Sequence, residues 1–126
     1  MGSVGLLSRL RIAWRRHRSL GQRGERAAER HLRRLRYKIV ARRDRGRLGE
    51  IDLVAVDGRT VVFVEVKTRR SHHAGHPAEA VGPQKQQRLT RLALAYLKRH
   101  ELLECPSRFD VLAITWPALA RKPTIE

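Results

Sequence analysis

Apolar positions change period along the chain, and the changes mark its elements. From about Leu20 to Arg36, Gly24, Ala28, Leu32 and Leu35 recur at spacings of four, four and three, which predicts an amphipathic helix with one buried stripe. Arg26, Arg30, Arg33, Arg34 and Arg36 fall largely off that stripe. Tyr37–Ala41 reads as a short strand. A basic connection follows, Arg42 to Gly49, able to cradle a phosphate or simply to be solvated. Two apolar runs then flank Asp57-Gly58, a tight-turn signal, so residues 49–67 read as a hairpin. Pro83 suits the first position of a second helix reaching about Arg99, with Leu89, Leu92, Ala93, Tyr96 and Leu97 as its buried stripe. Phe109–Ile114 is a last, nearly continuous apolar strand, expected to be buried on both faces. The order α-β-β-β-α-β predicts an α/β fold, a mixed sheet flanked by helices.

Residues 20–116 therefore make one domain. Before them lies an acid-free basic arm, 1–19, and after them a short tail, 117–126. The arm reads as a tail with incidental phosphate contacts; an amphipathic membrane-surface helix is the weaker alternative. Residues 68–82 lack periodicity and read as a mobile loop. Its His72, His73 and His76 have no nearby cysteine and no spacing of a closed zinc site.

Charge changes this picture. The chain carries 28 Lys/Arg against 12 Asp/Glu, a net +16, and so basic a protein is built to meet a polyanion, nucleic acid first. Residues 1–48 hold 16 bases and 3 acids, whereas 49–67 hold 2 bases and 4 acids. An acidic island thus sits in a basic protein. No apolar run is long enough to span a membrane. A single cysteine, Cys105, excludes an internal disulfide and fits a cytoplasmic location.

The island is the hairpin, whose apolar strands carry Glu50, Asp52, Glu65 and Lys67. Burying a carboxylate is costly unless it is paired or binds a metal. With strict alternation, Asp52, Glu65 and Lys67 share one face in two of the three plausible loop lengths. Two carboxylates on one face, inside a basic protein, suit Mg²⁺ (or Mn²⁺) bound against a phosphodiester. The ion would polarise the phosphoryl group and acidify a water, with Lys67 orienting it. An exposed Glu65–Lys67 ion pair is the plain alternative. Asp110 reads as a structural partner of an arginine. Glu29 has helical partners in Arg26 and Arg33, but Glu25 has none, so it is either solvated or paired with an arginine from another element.

Asp52 followed by Glu65-Val66-Lys67 resembles the signature of the restriction-endonuclease-like (PD-D/E-x-K) nucleases, and is similar to the archaeal Holliday junction resolvases. Ile51 stands where the broader signature has proline. Four ordered blocks more closely resemble the bacterial YraN family: Gly24-Glu25 with Ala28, Gly49–Ala55, Val62–Arg69 and Arg108–Val111. The resemblance implies a restriction-endonuclease-like fold and a Mg²⁺-dependent endonuclease acting on DNA, with branched or recombination intermediates among the expected substrates. It implies Asp52 and Glu65 as metal ligands, Glu50 as an auxiliary acid within the metal-binding set, Lys67 as the residue that positions the water, and Glu25 as a further auxiliary acid. Arg42, Arg69, Lys85 and Gln86 are candidate phosphate contacts. Symmetric cutting of a junction would call for a homodimer. The alternative is a non-catalytic nucleic-acid-binding protein that keeps the fold and serves DNA recombination or uptake.

Overall fold

The computed structural model describes residues 19–71, 82–118 and 120–126. The basic arm up to residue 18 and the histidine segment at 72–81 lie outside the described residues.

Helix α1, Leu20–Arg34, begins at a reciprocal cap: Gln22 N–H donates to Ser19 Oγ, and Ser19 N–H donates to the Gln22 side chain. It buries Gly24, Ala27, Ala28 and Leu32. Leu35 was expected on this stripe but lies past the helix end, 53% exposed. Arg36 takes a left-handed φ of 68° there and turns the chain into the sheet.

Strand β1, Lys38–Gly46, is longer than its apolar content suggests. The basic stretch expected as a connection, 42–46, is strand because its backbone pairs antiparallel with β2, Gly49–Asp57. As β1 is the sheet edge, its charged side chains remain tolerable. Gly49, φ +136°, closes this hairpin in a conformation that suits glycine. Next, β2 pairs antiparallel with β3, Thr60–Arg69. Asp57 pairs with Thr60, so the turn residues are Gly58-Arg59 rather than Asp57-Gly58.

Helix α2, Pro83–Arg99, leads to β4, Ser107–Thr115, which lies parallel to β3. The segment read as a tail returns as a two-residue strand, β5, Thr124–Ile125. The sheet order is β1-β2-β3-β4-β5. β4 is fully buried only at Ala113–Thr115, and Phe109 is 41% exposed. The reason is that β5 and Glu126 after it pair with β4 only from Ala113 to Thr115, which leaves the start of β4 as an open edge.

The helices occupy opposite faces. Ala27, Ala28 and Leu32 of α1 pack with Leu53, Ala55, Val62, Val64 and Ile114. Leu89, Leu92, Ala93, Tyr96 and Leu97 of α2 pack with Ile51, Val54, Val61 and Phe63. Central β3 feeds alternate residues to each core, which explains its unbroken apolar run. Among the described residues no helix is long and apolar enough to cross a membrane.

Gly24 sets the distance between α1 and β3. A Cβ there would land on the Thr68 hydroxyl and come within 2.7 Å of Thr68 Cγ2. Alanine would otherwise be favoured over glycine in a helix by about 1 kcal/mol, but the clash with a β-branched side chain dominates. Gly24→Ala is expected to lower stability by about 1–3 kcal/mol, read as a lower urea midpoint; an unchanged or higher midpoint would show that α1 is not held this close.

Candidate functional site

The site forms where the sheet forks. The β2–β3 ladder runs from Asp57↔Thr60 to Leu53↔Val64 and stops. Continued by one pair, its register sets Asp52 across from Glu65. Instead of a backbone carbonyl, the Val66 N–H meets the Asp52 carboxylate, donating to Oδ2 at 2.8 Å. Asp52 thus ends the ladder with its side chain.

Alternation breaks at the same place. Val54 and Ile51 both pack on the α2 side, while Leu53 packs on the α1 side. The facing strand matches this. Arg42 pairs with Leu53 and Asp44 with Ile51, but the intervening pair, Arg43 with Asp52, is missing from the ladder. Arg43 has a left-handed φ of 48°. Consecutive side chains of a regular strand diverge, yet Arg42 and Arg43 both reach α1: Arg42 bonds Glu29, and Arg43 Nε bonds Glu25 Oε2 at 2.9 Å. The expectation that simple parity would present Asp52, Glu65 and Lys67 on one face is corrected accordingly. The register sets Asp52 across from Glu65, but the alternation of faces is interrupted between Ile51 and Leu53.

Burial pushes the Asp52 carboxyl up to about 6, and the Val66 N–H opposes it; nearby Glu65, Glu25 and Glu50 push it further up. These neighbours each carry a basic partner. Glu65 Oε1 lies 2.7 Å from Lys85 Nζ at the start of α2, and Glu50 lies 3.0 Å from Arg45. Glu25 takes the second of its two expected states, paired with an arginine from another element. Lys67 is exposed and forms no ion pair among the described residues.

The expected phosphate contacts separate. Lys85 is held by Glu65. Arg42 is held by Glu29, whose carboxyl falls below its usual range chiefly through that hydrogen bond. Arg69 is turned away, with a side chain only 10% exposed that bonds Thr115 Oγ1 and pairs with Glu126. Gln86 lines a cavity of about 270 Å³ with Glu65, Leu89, Phe109 and Asp110. Asp110 takes the expected arginine partner, Arg108. A larger groove, about 720 Å³, runs from Asp52 and Glu25 along α1 to Arg33 and Arg42. Arg26, Arg30 and Arg43 also line it; they were not among the expected contacts. For Arg26, Arg30 and Arg33 the signal was legible as a second helical stripe at spacings of four and three. For Arg43 it was not, because alternation predicts the opposite face.

A hard divalent ion fits this donor set. Mg²⁺ needs one or two carboxylates and keeps several waters. Asp52 supplies a half-buried carboxylate whose like-charged neighbours leave negative charge for a cation to relieve. Among the described residues no three His, Cys, Asp or Glu side chains converge as a ready-made cage. Asp52 lines the groove along α1, and Glu65 lines the smaller cavity beside α2.

Residues 24–114 match the family described as uncharacterised protein family UPF0102. The chain belongs to the UPF0102 family. This is the YraN family that the four motif blocks resemble. The chain is 54% identical over 96 residues to a UPF0102 protein of Geobacter sulfurreducens, covering 76% of this chain and 75% of that one. It is 48% identical over 110 residues to one from Geobacter metallireducens, covering 87% and 88%. With a UPF0102 protein of Rhodopirellula baltica it shares 50% identity over 107 residues, 83% of this chain but 64% of that longer one. The matched span of this UPF0102 chain includes Glu25, Asp52, Glu65 and Lys67.

The raised Asp52 group has a stability consequence. The folded state holds its proton to about pH 6, whereas the unfolded chain releases it near 3.9. Folding therefore loses stability as pH rises between these values, and the loss is complete above about 6. Asp52→Asn keeps an acceptor for Val66 and removes the charge. Without divalent cations it is expected to raise Tm at pH 8 by about 3–6 °C, from on the order of 1 kcal/mol, and to change little at pH 4. Equal destabilisation at both pH values would contradict this electrostatic origin.

Proposed function

We propose that this protein is a divalent-metal-dependent endonuclease that hydrolyses phosphodiester bonds of DNA. One observation carries the reading: a half-buried carboxylate, Asp52, ends the β2–β3 ladder beside Glu65, within a chain of net charge +16. Asp52 and Glu65 would hold Mg²⁺, or Mn²⁺ in its place, with the Val66 carbonyl nearby. When bound, the ion supplies Lewis-acid polarisation of the phosphoryl oxygen and a more acidic water. The chain's own residues do the rest. The Val66 N–H fixes the Asp52 carboxylate in one orientation. Lys67, two residues after Glu65 and exposed, positions the attacking water and stabilises the developing charge. Glu25 and Glu50 act from outside as auxiliary acids, each steadied by an arginine. Lys85 neutralises Glu65. Branched DNA is the favoured substrate, cut by a homodimer.

A second reading has its own support. Glu65, Glu25 and Glu50 are all ion-paired to basic residues, which suits a nucleic-acid-binding protein that keeps the fold without the reaction.

Incubation of supercoiled, linear, single-stranded and four-way-junction DNA with Mg²⁺ or Mn²⁺ separates the two. Cleavage of at least one substrate is expected, lowered roughly 100-fold or more by Asp52→Ala or by Lys67→Ala. If nothing is cut while DNA binding persists in both variants, the binding-protein reading stands instead.

A further inference from the structure

The groove beside Asp52 has a charge pattern that the cleavage chemistry does not use. Five arginines line it against three carboxylates, Glu25, Glu29 and Asp52. The carboxylates do not cancel the arginines evenly. Glu25 is paired with Arg43 across the groove, and Glu29 holds both Arg42 and Arg33. Arg26 and Arg30 are exposed and form no ion pair among the described residues. The negative charge therefore gathers at the Asp52 end, and the positive charge extends along α1.

We infer that this groove is a track for one nucleic-acid strand, which leads away from the fork with its phosphates on Arg26, Arg30 and Arg33. From Arg26 to Arg33 the helix advances about 10 Å, a length that two or three successive phosphates of one strand can follow. The wall opposite is β1, where the break at Arg43 turns two consecutive arginines inward. Glu29 and Glu25 hold these two guanidinium groups in place, so the β1 wall is ordered before a ligand arrives. Side chains that meet a backbone this way position a strand without reading its sequence. The inference rests on the proposed function for the place of the scissile phosphate, at the Asp52 end, but strand binding itself needs no cleavage.

The test is fluorescence anisotropy with labelled duplex, single-stranded and junction DNA, in chelator, across a salt series. Two triple variants of the full chain remove equal charge: Arg26→Ala/Arg30→Ala/Arg33→Ala in the groove, and Arg91→Ala/Lys98→Ala/Lys122→Ala elsewhere. All six residues are exposed. Arg30→Glu alone serves as a charge reversal that leaves the Glu29 pairs untouched. The groove triple is expected to weaken binding at least tenfold and to reduce the slope of log affinity against log salt by about 2–3. Arg30→Glu should weaken it severalfold, and the control triple should change both quantities little. Equal losses in the two triples would reduce the track to a net-charge effect and overturn it. So would polyglutamate that competes as well as DNA, since an acidic partner would then own the groove. A normal groove result without any cleavage would keep the track and remove the nuclease. Intact cleavage with an unaffected groove triple would do the reverse.

Discussion

One hydrogen bond fixes the geometry on which the rest of the site depends: the Val66 N–H donating to the Asp52 carboxylate where the β2–β3 ladder ends. A continued ladder would satisfy that N–H with backbone, and a buried amide left unpaired would be costly. The side chain takes over the role, so β2 can part from β3 without an orphaned donor. That parting lets Ile51 turn to the α2 core while Leu53 stays in the α1 core. On the facing strand the same break sends Arg43 to Glu25. Gly24 completes the arrangement, since only a residue without a side chain lets α1 bring Glu25 this close to β3.

The electrostatics follow from this construction. Four carboxylates gather around the fork in a chain whose overall charge is strongly positive. Three are met by Lys85, Arg43 and Arg45, while among the described residues Asp52 is bonded by a backbone donor alone. Burial of this acid, with like charges around it, is why its proton is held to about pH 6. Partners that come from two elements, β1 and α2, tie the charge balance to the fold.

Much of the fold was legible from period alone. Both helices, the hairpin and the five buried residues of α2 follow from spacing, because amphipathic patterns report directly on which face is covered. The misses share a cause. The length of β1 and the existence of β5 depend on backbone pairing, to which side-chain pattern is blind. The exposure of Leu35 and Phe109 depends on where a helix ends and how far a neighbouring strand extends. At the site, Asp52, Glu65 and Lys67 stood out as charges among apolar residues. Regular alternation, the basis for expecting them on one face, breaks at Asp52, and a local left-handed residue such as Arg43 carries no reliable signature in the sequence. The arginine stripe of α1 was visible, but only the groove gives it a direction.

Placing a cation at the fork can be tested without any substrate. Amide resonances of the protein in solution, followed while substoichiometric Mn²⁺ is added, report where the ion sits through paramagnetic broadening. Broadening centred on Asp52, Glu65 and Val66, and reversed by excess Mg²⁺, is the predicted result. Broadening centred on His72, His73 and His76, or none that localises, would contradict a metal site between Asp52 and Glu65.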